Sequence, residues 1–374
     1  MSEDIRPFQI EIPQAEIDYL HSRLAGARWA AEIPGTGWER GVPVEYLREL
    51  AEYWRTGFDW RAAEARLNSY PQFTAEIDGQ RIHFLHVRSS RPDAMPLLIT
   101  HGYPSSVAEF LELIEPLTNP ASGQAFHLIV PSLPGYAFST PLSGTGWAMG
   151  RTARAWAELM RRLGYGRYGV HGGDIGAGVS GLVAGLDGEH VTGMHVVTDP
   201  LTAAATATFI PGLASHFDSN DPVDKLILDR MDAFTREGSG YLAIQNSRPQ
   251  AIGYGLVDSP LLQLAWIAEK VHEWTDLPVD RDQLLTTVSL YWFTGSGATA
   301  AHTLYDQAHS GEWGPSPSVP QGFAVFGADE TVRKLVPAPA DAHWSEFPRG
   351  KHFPAMEAPA ELAADLQAFF APLR

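Results

Sequence analysis

The stretch Tyr168-Gly-Val-His-Gly-Gly-Asp174-Ile-Gly-Ala-Gly178 is an apolar run that stops at one carboxylate set among glycines. It has the pattern Gly-x-nucleophile-x-Gly, in which a strand turns sharply into a helix and small residues permit a strained turn that exposes the central side chain. A carboxylate at that position cannot start serine-type acyl transfer, but it can attack an electrophilic carbon and form an ester that is then hydrolysed. The same residues are compatible with a glycine-rich turn in which Asp174 only caps the following helix.

The composition favours an enzyme that acts on a small neutral molecule. Of the 374 residues, 44% are hydrophobic, and 27 basic against 44 acidic residues give a net charge of −17 without any basic run. This charge argues against binding to nucleic acid or to an anionic membrane surface. The chain has no cysteine, which excludes disulfides and thiolate chemistry.

The N-terminal sequence, Met1 to Phe8, is acidic and lacks the apolar core of a signal peptide. No uninterrupted apolar stretch is long enough to span a bilayer. We therefore expect a soluble cytoplasmic protein without a membrane anchor, and we keep a homodimer open as its oligomeric state.

Apolar strands and amphipathic helices alternate on both sides of the Asp174 turn. Strands are predicted at 95–100, 126–131 and 192–198, and helices at 107–115 and 152–163. This order implies a mainly parallel sheet with right-handed crossovers, and a site at the carboxyl ends of the strands. We expect four regions: an N-terminal meander (1–75), the first part of an α/β core (76–200), an inserted helical cap (201–310) and the second part of the core (311–374).

Later in the chain, an acidic residue and then a histidine follow predicted strands. An apolar strand at 322–327 leads to Asp329 and Glu330, and His352 comes after the last predicted strand. Nucleophile, acid and histidine in this chain order are typical of the α/β-hydrolase fold, where the acid orients a histidine that acts as general base. We therefore predict a catalytic triad of Asp174, His352 and Asp329, with Glu330 as the alternative acid.

Nearly the whole chain resembles the epoxide hydrolases of the microsomal and juvenile-hormone type and their bacterial relatives. The resemblance is carried by the N-terminal meander and by motifs around the predicted site: Tyr53-Trp…Phe58-Asp-Trp-Arg, His101-Gly-Tyr-Pro, Pro131-Ser-Leu-Pro-Gly-Tyr-Ala-Phe-Ser, His171-Gly-Gly-Asp, Tyr241-Leu-Ala-Ile-Gln-Asn-Ser-Arg-Pro and Arg349-Gly-Lys-His-Phe. It implies conversion of an epoxide and water to a vicinal diol through an ester on Asp174, without a metal or an organic cofactor.

The resemblance also assigns roles by position. Asp174 matches the nucleophile, His352 the base and Asp329 the orienting acid. Tyr241 and Tyr305 match two cap tyrosines that donate hydrogen bonds to the epoxide oxygen. The backbone N–H groups of Tyr103 and Ile175 match the oxyanion hole.

Two departures from the family pattern affect the substrate pocket. Relatives carry Trp directly after the nucleophile, where this chain has Ile175, and His-Gly-Trp-Pro where it has His101-Gly-Tyr-Pro. Loss of the indole should widen the cavity, which suggests a bulky or aromatic natural-product epoxide. Two alternatives are a haloalkane dehalogenase-like hydrolase, disfavoured because Ile175 removes an indole donor for halide, and a noncatalytic binding protein of the same fold.

Overall fold

The structure, a computed structural model, describes residues 5–311 and 314–373, so part of the acidic N-terminal sequence lies outside the described residues. Its nine strands form one sheet in the order β1-β2-β3-β5-β4-β6-β7-β8-β9. The strands are β1 (Arg6–Phe8), β2 (Gln72–Ile77), β3 (Gln80–Val87), β4 (Met95–Thr100), β5 (Phe126–Pro131), β6 (Tyr168–Gly172), β7 (Val191–Thr198), β8 (Gln321–Phe326) and β9 (His343–Phe347).

Strands β4 to β9 are parallel to one another, while β1, β2 and β3 form an antiparallel edge. Successive residues of β4 alternate between the two faces of the sheet, since Leu97 and Ile99 pack into one apolar cluster and Leu98 into the other. Both faces are therefore buried, as is usual for parallel strands. The predicted α/β-hydrolase fold, a mostly parallel sheet flanked by helices, is confirmed.

Sixteen α-helices are assigned within the described residues. They are α1 (Gln14–Ala25), α2 (Val44–Thr56), α3 (Trp60–Asn68), α4 (Leu111–Thr118), α5 (Met149–Arg162), α6 (Ile175–Leu186), α7 (Pro200–Ala207), α8 (Pro222–Ala233), α9 (Gly240–Gln245), α10 (Pro249–Asp258), α11 (Pro260–Trp274), α12 (Arg281–Thr294), α13 (Ser296–Ser310), α14 (Glu330–Leu335), α15 (Pro354–Glu357) and α16 (Pro359–Phe370).

Helices α7 to α13 are inserted between β7 and β8, and we call them the cap. The N-terminal segment contacts the cap through two tryptophans: Trp54 Nε1 of α2 donates to Ser289 Oγ at 2.9 Å, and the ring of Trp38, between α1 and α2, stacks on that of His272 at 3.6 Å. Strand β2 crosses the boundary expected at residue 75, and β1 joins the sheet edge. The N-terminal segment is therefore tied to both the sheet and the cap.

Candidate active site

Asp174 lies at the turn between β6 and α6, at the carboxyl edge of the sheet. Its φ of 52° and ψ of −127° place it in a region that residues other than glycine rarely adopt. A Cβ atom on Gly176 would lie 2.0 Å from the carbonyl oxygen of Thr100, so the turn can pack against β4 only with glycine there. Asp174 occupies the N-cap position of α6, yet its side chain makes no capping hydrogen bond. The turn therefore exposes this carboxylate rather than using it as a cap.

The loop after β4 supplies a hydrogen bond to the same carboxylate. The backbone N–H of Tyr103 donates to Asp174 Oδ1 at 2.8 Å. A Cβ on Gly102 would lie 2.5 Å from Oδ1, so this close approach also depends on a glycine. Ile175 begins α6, and N–H groups in the first turn of a helix have no intrahelical acceptor. One of the two backbone donors predicted for an oxyanion hole, the Tyr103 N–H, thus contacts the Asp174 side chain, and the other belongs to the residue that follows Asp174.

His352 faces Asp174 from the loop after β9. Its Nε2 lies 3.8 Å from Asp174 Oδ2, and the two side chains are 9% and 27% exposed. The imidazole packs against Trp274 of the cap, with ring centroids 4.9 Å apart. A separation of 3.8 Å is too long for a direct hydrogen bond between Nε2 and the carboxylate.

The other ring nitrogen of His352 contacts residues that follow β7. Nδ1 lies 2.8 Å from Thr202 Oγ1 and 3.7 Å from Asp199 Oδ2. The Asp199 side chain is only 1% exposed. Within residues 5–311 and 314–373, the carboxylates within 4 Å of a His352 ring nitrogen are those of Asp174 and Asp199.

The structure does not bring Asp329, the predicted partner of His352, to the histidine ring. Asp329 Oδ2 lies 2.7 Å from Arg230 Nη2 of α8, and Oδ1 accepts the N–H of Thr331 at the start of α14. Glu330 is exposed in the first turn of α14, so the alternative acid does not take this place either. Asp329 is held by its ion pair with Arg230. Asp199 lies beside the site because it follows β7, the direct neighbour of β6 in the sheet.

Electrostatics favour a charged form of this histidine. Burial alone lowers the pKa of His352, but its contact with Asp199 and the negative charges of Asp174, Asp199 and Glu109 outweigh burial and raise the pKa above its ordinary value. Glu109 itself is buried, which raises its pKa to about 7, and it accepts a hydrogen bond from Ser105 Oγ at 2.5 Å. His352 is therefore surrounded by acidic groups from three separate segments.

The two predicted cap tyrosines take different positions. The ring of Tyr241, in α9, stacks on that of Tyr103 at 5.9 Å with 4° between the planes. Burial and then the charge of Asp174 hold the pKa of Tyr241 far above its usual value, so its hydroxyl stays protonated and can donate a hydrogen bond.

Tyr305, in α13, instead stacks on His309 at 4.0 Å. Its neighbour Leu304 lines the cavity beside Ile175, and adjacent helical residues point about 100° apart. Tyr241 thus lies beside Tyr103, whose backbone N–H bonds Asp174, whereas Tyr305 has no such contact within the described residues.

A cavity of about 60 Å³ adjoins the turn. Its lining is mainly apolar and includes Ile175, Tyr136, Trp147, Met149 and Leu304. This volume is well below the ~150 Å³ that accommodates benzene in a protein interior. A bulky substituent can enter only if lining side chains shift.

The sequence analysis did not predict three residues that lie near His352: Asp199, Thr202 and Trp274. The sequence did hold a signal for Asp199, because this residue directly follows a predicted strand of the same parallel sheet as Asp174. Carboxyl ends of neighbouring parallel strands lie along one edge, so two acids in such positions can meet. Thr202 and Trp274 carry no comparable signal.

One group of possible metal ligands occurs elsewhere. Ligand atoms of Asp187, Glu189 and His190 lie within 4.8 Å of one another. This group lies between α6 and β7, at the amino end of the sheet and away from Asp174. We assign it no part in catalysis.

Comparison with known proteins identifies the family. Residues 5–110 match the model described as epoxide hydrolase N terminus, and residues 95–229 match that of the alpha/beta hydrolase fold. A protein of Stigmatella aurantiaca (strain DW4/3-1) named "Putative epoxide hydrolase" is 41% identical to this chain, over 99% of this chain and 86% of that protein. The chain belongs to the epoxide hydrolase family. Its reaction is the addition of water to an epoxide.

Other epoxide hydrolases are similar over almost their full length. Epoxide hydrolase 1 of Sus scrofa is 34% identical, and the match covers 98% of this chain and 88% of the pig protein. The crystal structure of juvenile hormone epoxide hydrolase from the silkworm Bombyx mori superposes with a TM-score of 0.86 at 30% identity, covering 99% of this chain and 95% of that one. No helix in the described part of this epoxide hydrolase is long and apolar enough to cross a membrane.

Proposed function

We propose that this epoxide hydrolase works through a covalent ester on Asp174. One observation carries the proposal: the Asp174 carboxylate stands on a strained turn, with Oδ1 bonded to the Tyr103 N–H at 2.8 Å and Oδ2 3.8 Å from His352 Nε2. One oxygen is thus held by a donor while the other faces outward beside a base. That arrangement suits a nucleophile whose carbonyl is later attacked by water.

In the first step, Asp174 Oδ2 attacks one epoxide carbon and the C–O bond on that carbon breaks. The Tyr241 hydroxyl donates a hydrogen bond to the departing oxygen and supplies its proton. The product is a hydroxyalkyl ester of Asp174. A second donor from Tyr305 remains a hypothesis, for which the position of its ring gives no support.

In the second step, His352 Nε2 removes a proton from water, and the resulting hydroxide attacks the ester carbonyl. The oxyanion forms where the Tyr103 and Ile175 N–H groups can stabilise it. Its collapse releases the vicinal diol and restores the Asp174 carboxylate, and the proton taken up by His352 returns to the Tyr241 oxygen, which gave up its own in the first step. The histidine has to be unprotonated, so its raised pKa predicts that this step slows as the pH falls through a value above the ordinary histidine range.

A single turnover in oxygen-18 water tests this route. Water attacks the carbonyl carbon of Asp174, so the oxygen that passes to the first diol is one that the carboxylate already carried. With enzyme in excess, the first diol should be almost unlabelled and Asp174 should carry the label, as measured by mass spectrometry of diol and peptide. Full solvent label in the first diol, with none in Asp174, would show direct attack by water and refute the ester route.

The role of Tyr241 leads to a separate prediction. Tyr241→Phe should slow ester formation by about 100-fold or more, because the opening oxygen loses its proton donor. The rate is measured by rapid mixing and quench, with the ester detected by mass. Tyr305→Phe is the matched variant from the same cap, and its position predicts a rate close to that of the unchanged protein. An equal loss in both variants would restore Tyr305 to the site.

We also propose that the substrate carries a bulky or aromatic substituent directed towards Ile175. The support is the small side chain at this position and the apolar cavity beside it, although that cavity must expand to hold a ring. Relative kcat/KM values for styrene oxide and a small aliphatic epoxide measure this preference. A clear preference for the small substrate would contradict it.

A cytoplasmic location and a homodimeric state complete the proposal. Both statements are hypotheses carried over from the sequence analysis. Cell fractionation and light scattering on the purified protein test them, and a secreted or monomeric protein would contradict the respective statement.

A further inference from the structure

The groups around Nδ1 of His352 form a chain of hydrogen bonds with one possible direction. Asp199 Oδ1 accepts the backbone N–H groups of Leu201 and Thr202 at 2.8 and 3.1 Å, and Oδ2 accepts the Thr202 hydroxyl. An ionised carboxylate only accepts, so the single Thr202 hydroxyl proton is committed to Asp199. Thr202 Oγ1, 2.8 Å from His352 Nδ1, is then left as an acceptor.

This direction fixes the tautomer of the imidazole. Because Thr202 Oγ1 accepts, Nδ1 must carry the proton, and Nε2 must be the unprotonated nitrogen in the neutral ring. Nε2 is the atom that faces Asp174. We infer that Asp199, acting through the Thr202 hydroxyl, is the orienting acid of this enzyme in place of Asp329. The inference rests on the proposed ester route, since it concerns the base of its second step.

The environment of Asp199 fits a permanently ionised group. Burial acts to raise the pKa of its carboxyl, but the contact with His352 and the hydrogen bonds from Thr202 outweigh burial and lower it. Asp199 is also the N-cap of α7, where two backbone N–H groups and the helix dipole stabilise negative charge. The acid is thus anchored by the backbone independently of His352.

Asp329 shares the lowered pKa and the helix-cap position, but it has neither the burial of Asp199 nor a contact with His352. Its side chain is 31% exposed and is paired with Arg230, which is itself 23% exposed. Its hydrogen bonds go to Thr331 at the start of α14. It therefore acts as a helix cap and as a link between α14 and the cap helix α8.

Two substitutions interrupt the hydrogen bonds between Asp199, Thr202 and His352 while they change the size of the side chain very little. In Asp199→Asn, the amide oxygen can keep capping α7, while the amide NH₂ donates to Thr202 Oγ1. The Thr202 hydroxyl would then donate to Nδ1, and the imidazole would adopt the wrong tautomer. Thr202→Val keeps the volume of the side chain but removes the hydroxyl. Thr202→Ser restores the hydroxyl and serves as the rescue variant.

The rate of ester hydrolysis is the discriminating measurement, followed by quenched-flow mass spectrometry from pH 5 to 9. Both Asp199→Asn and Thr202→Val should slow hydrolysis by about 100-fold or more and accumulate the ester, while ester formation stays close to the wild-type rate. Thr202→Ser should restore hydrolysis. Asp329→Asn and Thr208→Val, whose hydroxyl only bonds a carbonyl of α7, should hydrolyse the ester normally.

The pH profile adds a result that a purely structural role would not give. The charged groups facing His352 are Asp174, Asp199 and Glu109, all of which raise its pKa. In Asp199→Asn one of them is neutral, so the residual hydrolysis should have its inflection at lower pH than in the wild type. An unchanged inflection would contradict direct coupling between Asp199 and His352.

Failure of the inference can be told apart from failure of the ester route. Normal hydrolysis in Asp199→Asn and Thr202→Val, with the step blocked in Asp329→Asn, would overturn the inference and return the role to Asp329. His352→Gln is the reference: if it loses turnover and yet traps no ester, the covalent route itself is wrong. If His352→Gln traps the ester, and Asp199→Asn and Thr202→Val trap it as well, the inference is supported.

Discussion

His352→Gln is expected to stop turnover after the first step and to leave the enzyme carrying a covalent hydroxyalkyl ester on Asp174. Attack on the epoxide needs only the carboxylate and the Tyr241 hydroxyl, whereas hydrolysis needs an unprotonated Nε2, which glutamine does not provide. The steady-state rate should fall by about 1,000-fold or more, within the range that general-base catalysis supplies. The intact mass of the protein, measured after mixing with substrate, should increase by the mass of one epoxide.

The matched control for this experiment is His101→Gln. His101 is also buried close to the site, but its ring supports the loop after β4: Nδ1 contacts the carbonyl oxygen of Gly102, and Nε2 accepts the N–H of Leu133. Burial lowers its pKa to about 4, so the ring is neutral. This variant should not accumulate ester. Unimpaired turnover of His352→Gln without any adduct would remove His352 from the mechanism.

Gly176→Ala is expected to destabilise the protein more than other substitutions of a single methyl group. Its Cβ would lie 2.0 Å from the Thr100 carbonyl oxygen, a backbone atom of β4 that cannot move alone. The free energy of unfolding should fall by more than about 3 kcal/mol, the upper part of the range for overpacking. Urea unfolding followed by circular dichroism measures this change.

Gly181→Ala provides the control in the same helix, α6. The nearest atom to its new Cβ would be the Met194 sulfur at 3.8 Å, which is an ordinary contact. Alanine is the better helix former by up to about 1 kcal/mol, so this variant should be as stable as the wild type or slightly more stable. Similar stability of the two variants would mean that α6 does not approach β4 as closely as the structure indicates.

Apolar strands and the turn between them could be predicted from the sequence because their signals are local. The run Met95–Thr100 is a strand with the predicted bounds, and the glycines around Asp174 produce the predicted turn. Such patterns depend on side chains a few residues apart, which the chain displays directly. The helix Pro260–Trp274 was predictable for the same reason, since Ser259 caps it and Pro260 occupies its first turn.

The orienting acid could not be chosen from the sequence, because the choice depends on a distant residue. Asp199 and Asp329 follow adjacent strands, and either could face a histidine placed after β9. Asp329 pairs with Arg230, which lies about a hundred positions away in a cap helix, and no local pattern reveals that pairing. The position of the Tyr305 side chain could not be predicted for a related reason. Residue spacing predicts a helix, but the rotation of that helix about its own axis depends on packing. In the structure, Leu304 rather than Tyr305 lines the cavity.

The N-terminal segment restricts how the cap can move as a rigid body. The cap is covalently joined to the core at two places, after β7 and before β8. Trp54 and Ser289 form a third connection, and Arg23 and Asp258, 3.2 Å apart, form a fourth. Because β1 anchors this segment in the sheet, hinge rotation would break both contacts. Opening of the cap as one rigid body would therefore cost these contacts, which favours local displacements of side chains as the way for epoxide and diol to pass.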